Sequence, residues 1–182
     1  MKWTKLKHLV EQRIAPSIRP RFSINSAAYG ACSCGHAWIT LDKKIVANFC
    51  TRAFWNIPRK YDDSAKKWIS KDPELTNSIL SHDDKDLTNY GELSRQDAYQ
   101  ACWEFVHDLS IEDALSSEDP LVQSLAVIDT RVGKRKLKTI DVDKLHPLAC
   151  KLFTERCLAE GLMFKKEIEH ETENLNIESS NE

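Results

Sequence analysis

The chain has 182 residues, of which 41% are hydrophobic and 30% charged, a balance expected of a globular protein with one packed core rather than several. No apolar run approaches the ~20 residues that a membrane-spanning helix requires. The opening MKWTKLKHLVEQR breaks every apolar stretch with charge, which argues against a secretory leader and predicts a cytoplasmic protein with no membrane partner. Its six cysteines are then expected as reduced thiols rather than a disulfide framework.

The net charge of −2 is unevenly spread, because residues 165–182 hold six Glu and two Lys, a net −4, and leave +2 for the rest. The division predicts a single α+β domain over 1–164 and an acidic, flexible tail over 165–182. A body so close to neutral gives no global signal for nucleic acid, although a local patch could still make such a contact.

Thr4 reads as the N-cap of a first helix, with Leu6, Leu9, Val10 and Ile14 at helical spacing and Pro16 ending it. Arg21–Tyr29 is expected as a strand, with Gly30–Gly35 as a loop. His36–Leu41 and Lys44–Phe49 follow as a hairpin turning at Asp42-Lys43. A two-residue turn pairs Leu41 with Lys44, Ile39 with Val46 and Ala37 with Asn48. The other face then gathers His36, Trp38, Thr40, Ile45, Ala47 and Phe49.

Thr51–Trp55 and Asp63–Ser70 are short helical candidates, and Asp72 caps another over Pro73–Leu80. His82–Gly91 is polar enough for an exposed loop. Ser94 and Asp97 form a capping box for a helix whose inward stripe is Ala98, Cys102, Phe105 and Val106. Ser110–Leu115 and Pro120–Asp129 are further short helices. Pro147–Glu160 closes the series, with Leu148, Leu152, Phe153, Cys157 and Leu158 inward and Gly161 as its stop. The fold class is α+β: a small antiparallel sheet, a three-stranded meander including the hairpin, packed against several helices.

Two groupings suggest metals. Cys32, Cys34, His36 and Cys50, the last opposite Gly35 in the expected register, could supply a tetrahedral thiolate–imidazole set. The C-x-C spacing is unlike that of zinc motifs, and small thiols filling a strand end explain the same residues. His82-Asp83 and His107-Asp108 resemble the H…HD…D set of metal-dependent phosphohydrolases, with Asp129 or Asp141 as the later ligand. The hairpin does not suit that all-helical fold, and helix-end polar residues account for His107 and Asp108. No phosphate-binding glycine loop or nucleophile elbow is present. No cofactor or metal is therefore assigned.

Trp38 and Trp103 read as core. Trp3, Trp55 and Trp68 stand among Lys and Arg, where indoles either pack over long side-chain stems or stack on a base or partner.

The segment Pro120–Lys138, PLVQSLAVIDTRVGKRKLK, carries the strongest signal. An apolar anchor runs into Arg131, Lys134, Arg135, Lys136 and Lys138. These five are the candidate anion- or partner-binding residues. They also fit a solvated turn in which Val132, Leu137 and Ile140 face inward. A third reading folds the acidic stretch Glu167–Glu182 back over the cations.

WTKLKHLVEQRIAPS, HAWITLDKKIVANFCT, DPLVQSLAVIDTRVGKRKLK and HPLACKLFTERCLAEGL occur in that order. Together they resemble a family of conserved bacterial proteins of about this length, opening with W-[ST]-K-L-K and carrying R-V-G-K-R. The resemblance covers most of residues 1–165 and implies a bacterial cytosolic protein, with no established activity to carry over. The family pattern usually has a second Arg where this chain has Thr130. The expected function is a non-enzymatic interaction or regulatory protein, of accessory or toxin-neutralising type, with a protein partner. The alternatives are a nucleic-acid-associated protein using the basic segment and a metal-dependent hydrolase.

Overall fold

The computed structural model describes residues 1–28, 35–56, 59–64, 67–70, 87–88 and 91–162. Helix α1 (Trp3–Arg13) starts from Lys2, which has extended dihedrals and no side-chain cap, so Thr4 lies inside the helix and is not its N-cap. Tertiary contact supplies the start instead. Trp3 packs against Tyr99 with ring centroids 6.2 Å apart, and the Tyr99 hydroxyl donates to the Met1 carbonyl at 2.6 Å. Leu6, Val10 and Ile14 are buried at the expected spacing. Arg19 then turns back and donates to the Gln12 and Ile14 carbonyls, satisfying acceptors that the helix end leaves open.

Strands β1 (Phe22–Ala28), β2 (Gly35–Leu41) and β3 (Lys44–Cys50) form an antiparallel sheet in that order. Asp42 and Lys43 have φ of 50° and 66°, the left-handed pair that a type I′ hairpin requires. The Arg21 guanidinium grips Asp42 through two bonds of 2.6 and 2.8 Å. That clasp, rather than an Asn-Gly pair, accompanies the tight turn.

The expected register holds from Leu41–Lys44 to Thr40–Ile45 and then slips by one residue. Val46 is the extra residue, so Ile39 pairs with Ala47 and Ala37 with Phe49, replacing the expected Ile39–Val46 and Ala37–Asn48 pairs. Such a bulge reverses which residues face the core beyond it. Ala47 and Phe49 thereby join Phe22, Ile24, Ala37, Ile39 and Leu41 inside. Burying a phenylalanine is worth about 1.5–3 kcal/mol, which outweighs one disturbed ladder position. The Val46 carbonyl is bonded by the Leu87 amide at 2.8 Å.

Helix α2 (Thr51–Asn56) follows β3 directly. The expected helix at Asp63–Ser70 does not form. Strands β4 (Arg59–Asp62) and β5 (Lys67–Ser70) pair there as an antiparallel hairpin with Tyr61 opposite Trp68. Aromatic and β-branched residues favour the paired strands over a short helix. The expected helix at Pro73–Leu80 and the acidic tail 165–182 lie outside the described residues, as do Tyr29 and most of the Gly30–Gly35 loop; Gly35 itself belongs to β2. The expected exposed loop at His82–Gly91 is corrected where it is described. Thr88 is buried and accepts from the Asn48 amide, and Leu87 packs against the core.

Helix α3 (Arg95–His107) carries the expected capping box, Asp97 N to Ser94 Oγ at 3.1 Å and Ser94 N to Asp97 Oδ2 at 2.8 Å. Its stripe Ala98, Cys102, Phe105 and Val106 is buried, together with Ala101. Helix α4 (Ile111–Leu115) is capped by Ser110 and α5 (Pro120–Val127) by Asp119. Every α5 residue except Gln123 is buried, as a helix apolar on all sides must be. Then come α6 (Lys134–Leu137), a 3₁₀ turn (Val142–Lys144) and α7 (Pro147–Ala159).

Helix α3 packs between the sheet and α5, α1 packs against β1 and α3, and α7 packs on α5. Gly161, at φ 67°, ends α7 as expected, with the Leu162 amide donating to the Cys157 carbonyl. Leu158 is 56% exposed and not inward. At about 100° per residue it lies nearly opposite Arg156, which takes the inward position. Among the described residues there are seven α-helices and this open antiparallel sheet, an α+β fold. No described helix is long and apolar enough to cross a membrane.

Candidate functional site

All five candidate cations are exposed, but two of them are also bonded within the chain. The division begins where the chain leaves α5. Ile128 and Thr130 bond across to the residues that end α1, Ala15 N to Ile128 O and Thr130 N to Arg13 O, both at 2.8 Å. Asp129 between them is completely buried. Its carboxylate accepts from the Arg131 amide at 2.7 Å and from the Arg131 guanidinium at 2.8 and 3.0 Å.

Arg131 is therefore committed to an internal ion pair, and its side chain retains 36% exposure. Its guanidinium also lies over the Phe105 ring, 5.6 Å from the centroid, at the same distance as that of Arg13. Arg13 in turn donates to the Phe105 and Val106 carbonyls at 2.8 and 2.6 Å, closing the C-terminus of α3. Burial, and then the like charge of Arg131, lower the Arg13 pKa, while Asp129 opposes the shift. The Arg13 guanidinium remains a cation at any physiological pH.

Arg156 holds the same connection from α7. Its side chain is 4% exposed and donates to the carbonyls of Val127, Asp129 and Val132 at 3.0, 2.9 and 2.6 Å. Its Nε binds Glu160 at 2.9 Å, and Glu160 also accepts from Ser17. A planar fork of five donors suits several carbonyls at once.

Beyond this clamp, Val132 and Leu137 are buried and Ile140 is half-buried, as the solvated-turn reading expects. Lys134 donates to the Glu160 carbonyl at 3.1 Å. Arg135, Lys136 and Lys138 are exposed, and none has a salt bridge among the described residues. They form a cationic ridge whose underside is pinned by Leu137 and whose approach is fixed by Asp129 and Arg156.

Beside the ridge lies a cleft of 410 Å³, floored by Leu115, Ile140 and Leu145 and rimmed by Lys136, Lys144, Glu112 and Gln123. Much of its polar rim is already paired. Lys144 meets Asp141 at 3.0 Å, the Ser116 hydroxyl donates to Glu112 and Asp113 carbonyls, and Gln123 accepts from the His146 amide. The arrangement can attract anions and seat an apolar side chain. Among the described residues, no nucleophile beside a general base lines it.

The metal groupings are not assembled among the described residues. His36 pairs across the sheet with Cys50, not Gly35 with Cys50 as expected, while Cys32 and Cys34 lie outside the described residues. His82 also lies outside them. His107 stacks on Trp103 at 4.3 Å, Asp108 caps α3, Asp129 is taken by Arg131, and Asp141 caps the 3₁₀ turn. Among the described residues no group of three or more His, Cys, Asp or Glu side chains is placed to hold a metal ion.

Trp55 is 64% exposed, whereas Trp3 and Trp103 are half-buried against the core, as expected for Trp103, and Trp38 is half-buried. The clamp residues Arg13 and Arg156 went unread in the sequence. Arg156 stands four positions after Leu152 and three after Phe153, on the buried stripe, so the α7 pattern itself held the signal.

No curated protein and no solved structure matches this chain. The pattern of the SF0329 protein family matches residues 2–157, from the start of α1 to Cys157 in α7, and the chain belongs to the SF0329 protein family.

Proposed function

We propose that the protein is a non-enzymatic interaction or regulatory protein of the bacterial cytoplasm, of accessory or toxin-neutralising type, offering the α6 ridge to an acidic protein partner. The observation that carries this reading is the contrast within one short segment. Arg131 and Lys134 are spent on internal acceptors, while Arg135, Lys136 and Lys138 project from a support buried beneath them. Cations held on a fixed base lose little freedom on binding, and their charge speeds encounter with an acidic surface. The near-neutral body makes this a local attraction rather than a general affinity for polyanions.

The test is capture from nuclease-treated lysate of the source organism, comparing wild-type protein with R135E/K136E. The expected result is one acidic protein retained by the wild type and at least roughly tenfold less by the variant, as a contact dominated by charge predicts. Equal retention by both proteins, or no reproducible partner at low salt, would overturn the reading. Retention of DNA or RNA instead, with affinity falling steeply as salt rises, would transfer the ridge to a nucleic-acid partner.

A further inference from the structure

We infer that the cleft beside the α6 ridge is a socket for an apolar side chain, so that the partner is recognised through an amphipathic acidic segment. Its carboxylates meet Arg135, Lys136 and Lys138, and a leucine-like anchor enters the cleft. The inference rests on the interaction reading above and names the chemistry of the partner.

The floor sets what the cleft can hold. Leu115 ends α4, Ile140 follows α6 and Leu145 follows the 3₁₀ turn, so three separate segments supply it. All three side chains are half-buried, packed against the core, and still line 410 Å³ of open space. The Ile140 and Leu145 amides donate to the Leu137 and Val142 carbonyls at 3.3 and 3.1 Å, which fixes both positions. A preformed apolar recess of this size suits a buried anchor side chain.

The rim disfavours a polar occupant. Gln123 Oε1 accepts from the His146 amide at 2.7 Å, and Ser116 Oγ donates to the Glu112 carbonyl at 3.0 Å. Thr139 Oγ1 donates to the Lys136 carbonyl at 2.8 Å, and Lys144 Nζ meets Asp141 at 3.0 Å. A polar ligand would exchange these bonds for its own with little net gain. An apolar side chain leaves them intact and takes the floor out of water.

Charge selects what carries that side chain. Lys136 belongs both to the ridge and to the rim of the cleft. It, Arg135 and Lys138 have no salt bridge among the described residues. The α4 side of the rim carries Glu112 instead. An acidic segment is therefore oriented with its carboxylates over α6 and its anchor over the floor. Exposed ion pairs alone are weak, so the anchor supplies strength and the ridge supplies direction. A phosphodiester backbone would use the ridge and leave the floor in water, whereas an acidic amphipathic helix uses both.

The experiment compares two short fluorescein-labelled peptides on the full chain, by anisotropy and by ¹H–¹⁵N shift mapping. One is a glutamate-rich helix with two leucines four positions apart. The other replaces both leucines by alanine, which keeps the charge and the helix propensity. The leucine peptide is expected to bind at least roughly tenfold tighter, as burial of one such side chain predicts. It should shift the amides of Leu115, Thr139, Ile140 and Leu145 together with those of the ridge, whereas the alanine peptide shifts the ridge alone. Thr139→Trp and Ser116→Trp, each filling the cleft from an exposed position, should bring the leucine peptide down to the alanine peptide's affinity. Equal affinity of the two peptides for the wild type, or shifts confined to the ridge, would overturn the socket and leave the ridge reading standing. A leucine advantage that survives in both tryptophan variants would overturn it equally, and the wild-type shift map decides if those variants fail to fold. An affinity for the leucine peptide unchanged in R135E/K136E would leave the socket and remove the acidic partner. Binding of neither peptide would remove both.

Discussion

Arg156 Nη1 donates to the main-chain carbonyl of Asp129 at 2.9 Å, while the Asp129 side chain turns away to hold Arg131. One residue is thus gripped from both sides, by α7 through its backbone and by the following turn through its carboxylate. The relation is mechanical before it is functional. Without it, three carbonyls at the end of α5 would be buried beside an apolar helix with no donor, and the segment carrying the cations would have no defined path.

Arg156→Met, which keeps most of the volume, is expected to cost about 3–5 kcal/mol, because it strands the Val127, Asp129 and Val132 acceptors and leaves Glu160 without its buried partner. Arg156→Lys should recover only part of this, since an ammonium cannot match the fork. Urea unfolding monitored by circular dichroism measures both. A loss below about 1 kcal/mol in the methionine variant would show that the clamp is dispensable.

Asp119 caps α5 through the Leu121 and Val122 amides, at 2.8 and 2.9 Å. Burial raises its pKa, and those two amide bonds oppose the shift. Asp119→Asn keeps an acceptor and removes the desolvated charge, so it should be neutral to stabilising at pH 7, whereas Asp119→Ala should lose about 1 kcal/mol. The sign of the pH dependence follows. A carboxyl whose folded pKa is raised becomes less unfavourable as pH falls through that value, so wild type should gain on Asp119→Asn on acidification. Thermal melts from pH 7 to 4 check this, and a gap that widens at low pH would contradict it.

Glu155 and Asp42 share Arg21, at 2.7 and 2.6 Å. The Glu155 pKa is held below the ordinary value first by its bond from Lys151 and then by Arg21; that of Asp42 is lowered chiefly by Arg21. Depressed folded values mean that this network stabilises above the unfolded carboxyl range of about pH 4 and loses its effect as pH falls further through the folded values. Glu155→Gln should therefore show a flatter decline in melting temperature between about pH 5 and 3 than wild type. Parallel decline in the two proteins would remove Glu155 from the acid response.

Cys102 is fully buried in α3, and burial raises its thiol pKa strongly, with the Asp119 charge adding to the effect. Cys157 is also buried, while Cys50 and Cys150 are half-exposed. Iodoacetamide should alkylate Cys50 and Cys150 in the native protein and reach Cys102 and Cys157 at least roughly tenfold more slowly, until urea unfolds the chain. Peptide mass spectrometry resolves each site. Native alkylation of Cys102 at the rate of Cys150 would contradict the packing of α3 on α5.

Much of the fold was legible because its signals are local. The Ser94–Asp97 capping box, the apolar stripe of α3, the all-apolar α5 and the Gly161 stop each need only a few neighbours to be specified. The start of α1 was misplaced because Tyr99, remote in sequence, extends the helix past Thr4. The hairpin at β4 and β5 was missed because short segments of mixed pattern fit either state until pairing decides. At the candidate site, all five cations were visible as a cluster. That Arg131 is internally bound, and Lys134 tied to α7, was not.

Periodicity, caps and composition by themselves determined the α+β class, the three-stranded meander, the apolar anchor that forms α5 and the position of the basic segment. Tertiary structure alone decided the Val46 bulge, which turns Phe49 inward, and the inward face of α7, which takes Arg156 and leaves Leu158 in water. It also decided which cations are already bonded within the chain. The physical reason is the same in each case. Spacing along a chain specifies which residues share a face, but the donors, carbonyls and apolar surfaces that meet that face come from segments far away in sequence, and only their packing determines which groups are already satisfied.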